Sequence, residues 1–219
     1  MKFNTKLLHG NKMGDANTGA TLTPVYQSSA FYQPSAEQHE KLFHNKATGF
    51  SYTRINNPTI FAFEERMTTL EGGIASVACA SGMAAITNAL LNIVTCGQEI
   101  VASTSLYGGS IDVFHDFEAF GIKTVFVDIS DVNAVEAAIN ENTRVIFAET
   151  IGNPKLDVVD IEALAKLAHR HELPLVMDNT VATAYLVKPI EKGADIVVNS
   201  TSKYINGNSN AISGVITES

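Results

Sequence analysis

The stretch Leu173-Pro-Leu-Val-Met-Asp178-Asn-Thr-Val-Ala-Thr-Ala-Tyr-Leu-Val-Lys-Pro-Ile-Glu-Lys-Gly-Ala-Asp195-Ile-Val-Val-Asn199-Ser-Thr-Ser-Lys203-Tyr-Ile-Asn-Gly207 contains two short apolar runs that break off into polar residues. The runs cover 173–178 and 195–199, and neither alternates apolar with polar, so both are predicted as strands buried on two faces. Working outward, runs of the same kind stand at 75–80, 99–103, 123–128 and 144–149, and at 212–217 on the other side. Segments of helical period separate them, such as 132–140 and 159–171, the latter with Ile161, Leu164, Ala165 and Ala168 on one face. This alternation predicts an α/β domain with a mostly parallel seven-stranded sheet between helices.

Ahead of the sheet, 59–70 reads as a helix with Ile60, Phe63, Met67 and Leu70 on a common stripe, opened by Asn57-Pro58 and stopped by Gly72-Gly73. The first fifty residues show no sustained period and read as an extended arm, which needs a surface to lie on. The expected organisation is an arm over 1–58 that contacts a neighbouring subunit, and a large domain over 59–219. With 219 residues, 45% of them hydrophobic, the chain can bury one substantial core. A net charge of −8 argues against a nucleic-acid or anionic-membrane surface, since both need clustered Lys and Arg, and leaves small molecules as the expected partners. Residues 1–12 are polar and basic without an apolar signal core, and no run approaches the ~18 apolar residues of a membrane span, so a cytoplasmic protein is expected. Cys79 and Cys96 lie in apolar stretches without C-x-x-C spacing and are expected to be buried free thiols. No metal site is expected.

In open α/β sheets ligands bind at the carboxyl ends of the strands, so the residues just after each run carry the functional reading. After the first come Ser81-Gly82-Met83 and a helical run; such a turn is an anion site or only a helix cap. After the second comes Tyr107-Gly108-Gly109, where the ring either covers a flat ligand or simply packs. The fourth ends in Glu149-Thr-Ile-Gly-Asn153-Pro154, and the fifth in Asp178, a carboxylate that is costly to bury unless it meets a cation or a donor. Of the eleven lysines, only Lys203 follows a buried-strand pattern and a hydroxyl cluster, a setting that turns an amine into a nucleophile for aldehydes. Tyr52 and Arg54 stand two apart in an extended segment, on one face: a grip for a phosphate, or a solvated arginine beside a helix start. No G-x-x-x-x-G-K-[ST] is present and no G-x-G-x-x-G follows the first strand, which weighs against a nucleotide-binding module.

Together and in this order, the segments resemble the γ-subfamily of pyridoxal 5′-phosphate (PLP) enzymes of cysteine and methionine metabolism, within the aspartate-aminotransferase-like fold type I. The most specific parts are the lysine segment, residues 195–207, and Tyr52-x-Arg54-x-x-Asn57-Pro-Thr59. The resemblance implies that Lys203 forms the internal Schiff base with PLP and moves protons, and that Asp178 pairs with the pyridinium nitrogen. It implies that Tyr107 stacks on the ring and helps in acid–base steps, that Asn153 contacts the phenolic-oxygen side, and that Ser81 bounds the pocket. Gly82 and Met83 N–H groups with the Ser200 and Ser202 hydroxyls would bind the phosphate, completed by Tyr52 and Arg54 from a neighbouring subunit of a homo-oligomer, a dimer of dimers.

Within that family, residues 49–54 and 149–157 look most like O-acetylhomoserine sulfhydrylases, which replace the γ-acetoxy group with sulfide or a thiol. Cystathionine γ-synthase, cystathionine γ-lyase and methionine γ-lyase share the machinery. Ser202 stands where the family usually has threonine, and Asn199 and Asn208 where histidines are common. The resemblance also implies chains roughly twice as long, with a carboxy-terminal small domain whose arginine binds the substrate carboxylate. The sequence stops at Ser219, so the expectation is a fragment, or a protein whose remainder is a separate chain, or a short relative with an incomplete substrate site; residues 1–219 by themselves are expected to turn over weakly.

Overall fold

The structure is a computed structural model that describes residues 1–9, 14–15 and 18–219; residues 10–13 and 16–17, part of the expected arm and of its basic start, lie outside the described residues. Two compact units follow one another, Met1–Arg66 and Met67–Ser219.

The amino-terminal unit is not uniformly extended. It holds helices α1 (Phe3–His9) and α2 (Ala36–Phe43), and most of α3 (Pro58–Glu71), which runs on into the second unit. α2 buries none of its residues, so it leaves no apolar stripe for a periodicity argument to find. Local signals hold it instead: the Ser35 hydroxyl caps it by accepting from the Gln38 N–H at 3.1 Å, and Lys41 pairs with Glu37 one turn earlier at 2.6 Å. Elsewhere the unit is tied by strand-like bonds, with Ala30 bridged to Tyr52 and the Thr53 N–H donating to the Ser29 carbonyl at 2.9 Å.

The second unit is a sheet between helices. Its strands are β1 (Ala75–Cys79), β2 (Glu99–Ser103), β3 (Lys123–Val127), β4 (Thr143–Glu149), β5 (Leu175–Asp178), β6 (Ile196–Asn199) and β7 (Gly214–Glu218), each within two residues of its expected bounds. Helices α4 (Gly82–Leu91), α5 (Gly108–Asp116), α6 (Val132–Ala138), α7 (Ile161–Arg170) and the short α8 (Thr183–Leu186) are the connections. In space the order is β1-β7-β6-β5-β4-β2-β3. The pairs from β3 to β6 are parallel, and β7 runs antiparallel between β6 and β1.

Alternate residues of the central strands feed two cores. Ile100, Ala102, Val145, Phe147 and Val176 face one side, where α4 and α5 supply Ile86, Leu90 and Phe114. Val101, Ile146, Ala148, Leu175 and Met177 face the other, against Ile161, Leu164 and Ala168 of α7. The full burial of β2 and β5, and of β4 apart from the half-buried Arg144, follows from their central position. β1 departs from the expected two-sided burial: it is an edge strand, and Val77 is 58% exposed. Neither cysteine is fully buried either, since Cys79 lies on that edge and Cys96 is exposed in the turn before β2. Among the described residues no helix is long and apolar enough to cross a membrane.

Candidate active site

β4, β5 and β6 end level with one another, so the residues at their carboxyl ends form one polar shelf. Glu149 and Asp178 are register partners, and Asp178 is paired with Val198, one residue before Asn199. By the period of two, Glu149 and Asp178 share the sheet face of Phe147 and Val176, the side covered by α4 and α5. Asp178 is 8% exposed, and its Oδ1 accepts the Thr180 N–H at 2.9 Å. Burial pushes its carboxyl up, against the lowering effect of the Thr180 hydrogen bonds. Among the described residues no Lys, Arg or His is ion-paired with it. Such a group is poised to receive a cation.

Beyond β6 the chain enters a run of turns. The Lys203 N–H donates to the Ser200 carbonyl at 3.2 Å and the Gly207 N–H to the Lys203 carbonyl at 2.9 Å, which fixes the backbone and leaves the lysine side chain exposed. The Ser200 N–H donates to the Thr180 hydroxyl at 2.8 Å, so the loop after β5 holds the loop after β6. The Ser202 hydroxyl donates to the Ser213 carbonyl at 3.1 Å and accepts the Ser213 N–H at 2.9 Å. Its one proton is thus committed to the β7 approach, and a phosphate role would require that bond to be exchanged.

The turn into α4 lies against this loop. A Cβ on Gly82 would stand 2.4 Å from the Ser200 Cβ, and one on Gly214 would stand 2.1 Å from the Ser81 carbonyl oxygen. Glycine is therefore required here for close approach, and it brings the head of α4 beside the Ser200 hydroxyl. The Ser81 hydroxyl caps the helix by accepting the Ala84 N–H at 3.0 Å, and its carbonyl accepts the Ala85 N–H at 3.0 Å. Gly82 and Met83 then supply the first-turn N–H groups of a helix amino terminus, a natural anion cradle.

Tyr107 heads α5 and is 51% exposed, with its ring folded over Gly109: a Cβ there would meet the ring at 2.6 Å. Asn153 lies in the turn after β4. The two are joined by Glu149, whose Oε1 accepts the Tyr107 N–H at 2.6 Å and whose Oε2 accepts the Asn153 N–H at 3.0 Å.

The residue that sequence reasoning passed over is Glu71. It is 0% exposed at the end of α3, and its Oε1 accepts from Asn199 at 2.8 Å and, at 3.5 Å, from Asn179, which itself accepts from the Thr150 hydroxyl at 3.1 Å. The chain of bonds ties the ends of β4, β5 and β6 together beneath the shelf. Asn199 is the closer of the two amide donors. The available signal was a carboxylate in the last turn of a helix, where the macrodipole opposes it.

Burial pushes the Glu71 carboxyl up to about 7 from 4.5, against the two amide donors and Lys188, which lower it. The sign follows from linkage: between those values the folded state holds a proton that the unfolded state has lost, so this group makes stability fall as pH rises through about 7. Glu71→Gln is expected to remove that fall, up to about 3 kcal/mol between pH 5 and 8. Urea midpoints of cofactor-free protein at the two pH values measure it, by the difference between the variant and the unsubstituted protein. An unchanged slope in the variant refutes the assignment.

Tyr52 and Arg54 belong to the amino-terminal unit, where the guanidinium carbon lies 5.2 Å from the Tyr52 ring centroid. The segment is a turn and not the expected extended run, since the Ile55 and Asn56 N–H groups both donate to the Tyr52 carbonyl, and it is the turn that brings the cation beside the phenol ring.

The shelf and loops of the second unit suit PLP: a buried carboxylate without a cation, a helix head packed on a serine, an aromatic ring at a loop mouth and an exposed lysine after β6. Comparison with known proteins agrees. The Cys/Met metabolism PLP-dependent enzyme family matches residues 4–219. An O-acetyl-L-homoserine sulfhydrylase of Leptospira meyeri is 46% identical over 216 residues, 98% of this chain and 49% of that one. An L-methionine gamma-lyase of Fusobacterium nucleatum subsp. polymorphum is 44% identical over 200 residues, 90% of this chain and 51% of that one. Among solved structures, a Campylobacter jejuni protein named for O-acetylhomoserine (thiol)-lyase and holding pyridoxyl-lysine phosphate superposes with a TM-score of 0.96 at 33% identity, over 100% of this chain and 54% of that one. The chain thus spans about half the length of the relatives it matches. Since the family match runs almost end to end, the chain belongs to the Cys/Met metabolism family of PLP-dependent enzymes.

Proposed function

We propose that this protein, as all or part of the enzyme, performs γ-replacement on O-acetylhomoserine with sulfide or a thiol, giving homocysteine or methionine. The observation that carries the reading is the likeness to a sulfhydrylase, 46% identical over 98% of the chain. PLP, when bound, supplies the electron sink for carbanion chemistry. Around it, the Lys203 amine is the attachment point and carries protons between substrate carbons, and the Asp178 carboxylate holds the proton on the ring nitrogen. Tyr107 would cover the ring face, and Asn153 would meet the phenolic-oxygen side. The Gly82 and Met83 N–H groups and the Ser200 hydroxyl would hold the phosphate, joined by the Ser202 hydroxyl on exchange of its bond to Ser213, with Ser81 at the pocket edge and Tyr52 and Arg54 contributed by a neighbouring subunit. The proposal extends to a cytoplasmic homo-oligomer, a dimer of dimers, and to a small domain, additional to residues 59–219, that orients the substrate carboxylate.

A second reading, γ-elimination, is favoured by the methionine gamma-lyase likeness. Products separate the two. O-Acetylhomoserine with sulfide is expected to yield homocysteine, with little keto acid or ammonia when sulfide is left out. Keto acid and ammonia formed equally with and without sulfide refute replacement in favour of elimination.

A further inference from the structure

We propose that Glu149 is a positioning residue for the cofactor: one buried carboxylate that sets, through two main-chain N–H groups, where Tyr107 and Asn153 stand. The inference rests on the PLP reading of the site and adds a residue that takes no part in the chemistry proposed above. Glu149 is the last residue of β4, 5% exposed, and a register partner of Asp178. Each of its oxygens takes one N–H, Oε1 from Tyr107 at 2.6 Å and Oε2 from Asn153 at 3.0 Å.

Each loop is anchored to its own surroundings, and among the described residues no main-chain hydrogen bond joins one loop to the other: Thr104 bonds to Val127, Thr150 to Asp178, Gly152 to Asp157, Leu156 to Gly152 and Val159 to Thr150. Tyr107 heads α5 without a side-chain cap; its carbonyl accepts the Ser110 and Ile111 N–H groups at 2.9 and 3.2 Å, while its own N–H, outside the helix ladder, goes to Glu149. The loops do abut, since a Cβ on Gly152 would stand 2.3 Å from the Ser105 Oγ, but contact alone leaves them free to slide. The carboxylate converts contact into register. Burial raises the Glu149 carboxyl to about 7, with the Tyr107 N–H lowering it, Asp178 raising it and the Asn153 N–H lowering it. A second carboxylate placed beside Asp178 in spite of that cost is one with a task.

The test uses protein loaded with PLP, reading the cofactor dissociation constant and the circular dichroism of its visible band, which reports how asymmetrically the ring is held. Glu149→Ala is expected to weaken binding about tenfold to a hundredfold and to shrink the visible dichroism, because two N–H groups lose a charged acceptor. Glu149→Gln keeps one acceptor oxygen and should fall between, and it carries the test if the alanine variant does not fold. Ile161→Ala, a core truncation on the opposite face of the sheet, is the control: it should lower the melting temperature while leaving both readouts unchanged. Unaltered readouts in the folded glutamine and alanine variants overturn the proposal, as does an equal loss in Ile161→Ala, which would mean general loosening. If the unsubstituted protein shows no cofactor band, the PLP reading itself has failed and takes the proposal with it.

Discussion

Lys203→Ala is expected to leave the fold intact and to lower turnover by about 10³-fold or more, because the group that attaches the cofactor and carries the protons is gone. The structural half of this expectation is direct. The side chain is exposed, and the turn around it is held by main-chain bonds, Lys203 to Ser200 and Gly207 to Lys203, which alanine keeps. Substitutions of that kind usually change stability by less than about 0.5 kcal/mol. Borohydride treatment of the PLP-loaded protein, followed by peptide mapping, should place the reduced cofactor on Lys203 and on none of the other ten lysines. A label elsewhere, or a variant with near-full turnover, would sink the assignment.

Asp178→Asn should cost about 10²–10³-fold in turnover while leaving cofactor-free stability unchanged or slightly higher. The two effects have opposite signs for one reason. The carboxyl is buried among apolar strand residues and raised by desolvation, so the neutral amide relieves a cost in the empty site. The amide oxygen still accepts the Thr180 N–H, so local geometry persists. What it does not do is hold a proton on a pyridine nitrogen. Steady-state kinetics beside urea unfolding at pH 7 test both halves. Near-full activity would remove Asp178 from the cofactor, and strong destabilisation would make it a structural group instead.

The sequence by itself determined which segments are strands and which residues follow them. β2 was expected at 99–103 and is found there, and β4 and β6 begin or end within one residue of expectation, because strands buried on both faces leave continuous apolar runs that any reader of local pattern can find. The positions of Lys203 and Asp178 were legible for the same reason: Asp178 is the polar residue that closes one such run, and Lys203 stands in the polar turn that follows another. α2 was not, since a helix that buries nothing needs no stripe.

Only the tertiary structure decided the strand order, the antiparallel insertion of β7 between β1 and β6, and hence that Val77 and Cys79 lie on an exposed edge. It also decided the partners of the buried carboxylates. Glu71 meets Asn179 and Asn199 from 108 and 128 positions away, and Glu149 meets Tyr107 from 42. Local pattern records whether a side chain is apolar, which is a property of one residue. Satisfying a buried charge is a property of at least two, brought together by pairing that spans the chain, so a carboxylate at the end of an apolar strand announces a need for donors without saying where they come from.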